Sequence, residues 1–280
     1  MLWRTRSSMT VARGANVCTV DATGTIMRVK GHIPRIYLGV LEEHLGVSEG
    51  ELGEGVSEDA LLASFASSMK KRSRDLPSFG AAETSSQDWW EEIVRASFLG
   101  AGVPSATLDP VFDGVFRELY HDIFTGERAW ELLPGARQVL ANLRAWCDSE
   151  EGPAALGVVS NFDERLHLLL KNLGVYDSFD FVITSREFGV EKPSPLIFME
   201  AMRRAGQTPG NGALGVHIGD TYGRDVVGAS AAGWTPILVG NNKKKRLRDG
   251  EEGALEHVCV GDLRQVPQVL GIVDRSAEQG

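Results

Sequence analysis

The chain has 280 residues, 42% hydrophobic and 24% charged, enough to bury a sizeable core without disulfides. Its 38 acidic residues outnumber the 29 basic ones, and a net charge of -9 argues against bulk nucleic-acid binding. No apolar run approaches the ~18 residues a membrane helix needs, and Cys18, Cys147 and Cys259, in no metal-ligand spacing, fit reduced thiols in a reducing compartment.

The first segment, MLWRTRSSMTVARG, carries Arg4, Arg6, Arg13 and several hydroxyls but no acid. That composition fits a mitochondrial presequence or a disordered tail, which leaves cytoplasmic and mitochondrial locations both open. Residues 17–20 are apolar or β-branched and predict a short buried strand ending at Asp21, broken by Gly24. Helix-like apolar spacing follows over 37–45, 60–69, 89–99 and 111–124, with Ser57 and Ser86 as helix starts. Pro77, Gly80 and small polar residues make 73–86 an ordered loop. No β-like run is visible in this block, so 32–130 is expected to be a separate helical bundle inside a core formed by 16–31 and 131–280. After Pro134 the pattern alternates. Helices are expected at 136–146, 164–172, 195–205 and 225–232, and strands at 155–159, 179–184, 213–218 and 235–239. Alternation of this kind predicts an α/β fold, a doubly wound parallel sheet. Ligands of such sheets collect at the carboxyl ends of the strands.

Those ends carry chemistry. The first strand delivers Asp21-Ala22-Thr23-Gly24-Thr25, the second Ser160-Asn161-Phe162-Asp163, and the fourth Gly219-Asp220 with Asp225 five residues on. Lys192 follows the third. Any one of these is an ordinary turn or cap residue; their recurrence at four strand ends is not. A carboxylate such as Asp21 can attack phosphorus and form an aspartyl phosphate. It does so against a dianionic phosphate only when charge is neutralised, and magnesium, an oxygen-seeking cation, does this with one or two carboxylates. Asp21 and Asp220 are the natural pair, with Asp225 binding the metal or its waters. Lys192 supplies a positive charge, and the Ser160 hydroxyl can hold a phosphoryl oxygen.

The four segments resemble the haloacid dehalogenase superfamily, and the match extends over nearly the whole chain beyond the N-terminal tail. The resemblance implies a Rossmann-like core with residues 32–130 as an inserted α-helical cap. It puts catalytic positions at Asp21, Thr23, Ser160 and Lys192, phosphate-binding ones at Thr25, Ser160, Asn161 and Lys192, and a magnesium ion among Asp21, Thr23, Asp220 and Asp225. Pro77, Phe79 and Gly80 with Trp89-Trp90, and the run from Val159 to Asp163, are similar to a narrower branch. That branch includes haloacid dehalogenase-like hydrolase domain-containing protein 3 and the rhythmically expressed gene product of flies.

One departure matters. The family's phosphatases carry a second aspartate two positions after the nucleophile, as general acid and base; here it is Thr23, whose hydroxyl has no useful pKa near neutrality. The expected activity is therefore weak hydrolysis of a small phosphorylated metabolite. The alternative is a catalytically vestigial fold acting as a binding or scaffold component of a larger assembly. Dehalogenases of the superfamily carry an aromatic residue at the Thr23 position and need no metal, which would leave Asp220 and Asp225 unexplained. Phosphonate-cleaving members use a cap lysine; Lys30, Lys70 and Lys71 fit solvated side chains better. The basic run 243–248 fits a solvated loop. The six histidines show no ligand spacing, and His217 is expected to be buried.

Overall fold

The computed structural model describes residues 14–48, 50–53, 55–208, 214–240, 255 and 257–272. The arginine-rich start through Arg13 and the basic run 243–248 lie outside the described residues. In chain order the strands are β1 (Ala15–Val20), β2 (Met27–Val29), β3 (Trp130–Leu132), β4 (Ala155–Ser160), β5 (Phe181–Thr184), β6 (Leu214–Gly219), β7 (Thr235–Val239) and β8 (Val258–Val260).

Six of them form one sheet in the order β5-β4-β1-β6-β7-β8, parallel at every pairing. This is the expected doubly wound architecture. The chain first builds outward from β1 through β4 to β5, then returns to β1's other side with β6, so the winding reverses between β1 and β6. Val17, Cys18, Val20, Val158, Val159 and Ile218 are buried, the continuous apolar pattern of a parallel sheet covered on both faces. On one face Val17, Val159 and Ile183 pack with Phe198 of helix Pro195–Arg204 and with Trp234. Gly215 makes room there, because a Cβ would run into the Trp234 ring. Cys18 and Cys147 are buried free thiols, and burial pushes Cys147 up to about 12.

The predicted strands and helices of this region are found with shifted ends. The expected helix 225–232 instead begins as a π-helical turn, Tyr222–Val226, before Val227–Ala231. β8 was not legible, being three residues long and preceded by polar sequence. Nor were β2 and β3, which pair as a separate two-stranded sheet at the margins of the helical block.

Contacts divide the chain into two units, one of Met1–Arg28, Leu132–Asn161 and Gly174–Gly280, the other of Val29–Glu131 and Phe162–Leu173. The second unit is built from helices Ile33–Leu45, Glu58–Asp75 and Ser86–Gly100, with Phe112–Arg117 continuing into a π-helical turn, Glu118–Ile123. Ser57 caps the second by accepting from the Ala60 N–H at 3.2 Å; Ser85, one residue before the expected start, caps the third. Tyr37 gathers Phe65, Phe98 and Phe124 around it, each ring centroid 5.8 Å away. The expected loop 73–86 is shorter: the helix runs on to Asp75, and a tight turn at 77–80 holds Ser78 and Phe79 at left-handed φ of 50° and 57°.

The same unit takes in helix Arg165–Asn172. Asp163, fully buried, accepts from Arg165 at both oxygens, 2.9 Å from Nε and 2.7 Å from Nη2, and from Trp90 Nε1 at 2.7 Å. The Arg165 guanidinium lies 3.8 Å from the Tyr120 ring centroid. Of the tandem tryptophans, Trp89 is core and Trp90 is half-buried on this ion pair.

Candidate active site

Asp21 follows β1, Ser160 ends β4, and Asp220 follows β6, so the parallel register carries all three to one edge of the sheet. The backbone after β1 folds tightly. Asp21 N–H donates to the Ile218 carbonyl at 2.8 Å, and the Ala22 carbonyl accepts from the N–H groups of Thr25, Ile26 and Met27 at 3.3, 2.9 and 3.1 Å. Gly24 closes this turn at a φ of +84°, and a Cβ there would stand 2.5 Å from Asp220 Oδ2. Only glycine lets the loop approach that carboxylate.

Carboxylate oxygens of Asp21, Asp220 and Asp225 lie within 4.8 Å of one another, the one such group among the described residues. Lys192 is 2% exposed, and its Nζ sits 2.8 Å from Asp21 Oδ1 and 2.7 Å from Asp225 Oδ1. Burial alone would lower its pKa; Asp21 and Asp225 outweigh it, so the ammonium is held charged. Burial likewise works to raise Asp225, but Lys192 and His217 override it and keep the carboxyl well below the usual range. Asp225 Oδ2 also accepts from the Thr221 N–H at 2.8 Å.

Asn161 holds Lys192 by its main chain. Its Nδ2 donates to the Lys192 carbonyl at 3.0 Å and its Oδ1 accepts from the Lys192 N–H at 2.8 Å. The side chain expected on phosphate is thus engaged with the lysine's peptide. Thr25 Oγ1 is buried with no hydrogen-bond partner, a free donor beside the Asp21 turn. Ser160 is buried at the strand end, whereas Thr23 is exposed. Lys30 donates to the Glu127 carbonyl at 2.6 Å.

Sequence reading missed the role of His217. It is fully buried on β6 opposite Thr19 of β1, and contacts both Thr19 and Asp225. A polar residue inside an otherwise apolar strand was the available signal.

A family model described as haloacid dehalogenase-like hydrolase matches residues 15–233. The chain belongs to this family. Haloacid dehalogenase-like hydrolase domain-containing protein 3 of Mus musculus is 33% identical over 92% of this chain and 95% of its own, bearing out the narrower branch. Glyceraldehyde 3-phosphate phosphatase of Methanothermobacter thermautotrophicus is 36% identical over 41% of this chain and 50% of its own. Among solved structures, 2-haloacid dehalogenase from Pseudomonas syringae aligns with a TM-score of 0.58 at 23% identity, over 92% of this chain and 98% of that one, a likeness of fold. This family member is thus a hydrolase by kinship, with a Rossmann-like core. Among its described residues no helix is long and apolar enough to cross a membrane.

Proposed function

We propose that this haloacid dehalogenase-like hydrolase releases phosphate from a small phosphorylated metabolite, with Asp21 attacking phosphorus. The observation that carries the reading is the charge at the strand ends: three clustered carboxylates against one buried ammonium. Such an excess of negative charge is costly to bury and calls for a cation. The oxygen donors of Asp21, Asp220 and Asp225 fit magnesium, which would be held there, and the ion when bound neutralises the charge that otherwise repels a phosphate dianion. The phosphatase among the relatives supports the same reaction class.

In this reading an Asp21 oxygen bonds to phosphorus while the bond from phosphorus to the metabolite's oxygen breaks, and that oxygen takes a proton from water. Lys192 holds positive charge against Asp21, while Ser160 and the unpartnered Thr25 hydroxyl donate to phosphoryl oxygens. Water then attacks the aspartyl phosphate, releasing phosphate and regenerating Asp21. The helical unit takes the part of a cap. The test is magnesium-dependent phosphate release from a panel of phosphorylated metabolites. Asp21→Asn should lose on the order of 10³-fold or more; equal release by both proteins would refute the reading.

Thr23 favours a second reading, a vestigial active site in a binding or scaffold protein. Thr23→Asp separates the two. A gain on the order of 10²-fold marks an enzyme limited by a missing acid; no gain, with stable co-purification of a large complex, marks the scaffold.

A further inference from the structure

A line of buried polar groups runs behind the candidate nucleophile. Thr19 Oγ1 lies 2.8 Å from His217 Nδ1, and His217 Nε2 lies 3.0 Å from Asp225 Oδ1. That same oxygen is 2.7 Å from Lys192 Nζ, which reaches Asp21 at 2.8 Å. Thr19 and His217 are paired across β1 and β6, and both are fully buried. Gly219, two residues on, leaves the space that Asp225 fills, since a Cβ there would collide with the Asp225 carboxyl carbon. Phe198 closes the other side, its ring edge-on to the imidazole at 5.0 Å.

The chemistry of these groups fixes the direction of the bond that matters. A carboxylate ion-paired with Lys192 can only accept, so Nε2 of His217 carries a proton and donates to Asp225 Oδ1. The Thr19 hydroxyl, able to donate or accept, meets the ring at Nδ1 and holds its other end.

We infer that His217 is a positioning residue: held at Nδ1 by Thr19, it donates from Nε2 to the Asp225 oxygen that aims Lys192 at Asp21. This rests on the proposed reading of Asp21 and Lys192. Without His217, Asp225 is held by the Thr221 N–H at Oδ2 and only by Lys192 at Oδ1, so the position of that oxygen is less firmly set. A small displacement of the ammonium from the reacting carboxylate is enough to slow the reaction by one to two powers of ten.

The test begins with imidazole 15N NMR of the folded wild-type protein, where His217 should show the Nε2–H form. Replacing Thr19 with Val removes the hydrogen bond at Nδ1 and should shift the Nδ1 resonance while Nε2 stays protonated toward Asp225. In phosphate release, His217→Leu should lower kcat about 10- to 50-fold with KM changed less than about twofold. His217→Gln, whose amide nitrogen reaches where Nε2 stood, should recover kcat to within about threefold of wild type; His217→Asn, whose amide falls at the Nδ1 position, should not. A wild-type ring with no proton on Nε2, or equal kcat for the Leu, Asn and Gln variants, would overturn the inference. The NMR arm needs no turnover and stands should the Leu variant fail to fold. Phosphate release persisting in Asp21→Asn would instead refute the functional reading, a distinct result.

Discussion

The two units bury charge in opposite ways. In the helical unit, Asp163 and Arg165 meet one to one, with two guanidinium bonds, a tryptophan N–H and the Tyr120 ring completing the shell. Nothing is left over, and the pair serves stability. In the α/β unit, Lys192 faces Asp21 and Asp225 with Asp220 close by, so negative charge remains in excess. A balanced pair needs no ligand; the unbalanced cluster is where the proposed cation would sit. Buried charge thus marks a site only when its count fails to close.

The contrast can be broken most forcefully from the helical side. Arg165→Ala leaves Asp163 buried and unpaired, and should cost about 3–5 kcal/mol in urea unfolding, with Asp163→Leu added to it recovering much of the loss. Next in size is a response to the ion. Magnesium at about 100 times its Kd should stabilise the wild type by about 2.7 kcal/mol in thermal unfolding. Asp220→Asn should abolish that gain, whereas a helical-unit variant should keep it. The smallest effect concerns charge on the surface of the α/β unit. Arg203, then Arg204, hold the Glu200 carboxyl down to about 2. A lowered carboxyl contributes stability that is complete above the ordinary value near 4.5 and is lost as pH falls toward 2. Acid unfolding of Glu200→Gln should lack that increment, which is under about 1 kcal/mol for so exposed a fork.

The strand-end motifs were legible because each is local: Asp21, Ser160, Lys192 and Asp220 directly follow or close a segment that reads as a strand or its loop. The three-residue strands β2 and β3 were not, since neither is long enough to show alternation. The helix running to Asp75 was cut short at Met69 because Lys70, Lys71 and Arg72 carry no apolar periodicity. The Ser78-Phe79 turn escaped because left-handed backbone is a habit of glycine, and neither residue announces it. His217 was visible as a buried histidine, but its meaning depends on Thr19, 198 residues earlier, and no spacing rule reaches across a sheet pairing. The clasp of Asn161 on Lys192 was hidden for the same reason, since its partner is 31 residues away.

That amide also has a bearing on how the chain can change length. By clasping the lysine's own peptide from both sides, it ties the ammonium to the end of β4 directly. The 30 residues between the two, Phe162 through Glu191, are bypassed. Segments inside that interval can gain or lose residues, by drift or by engineering, while the cation stays at its station.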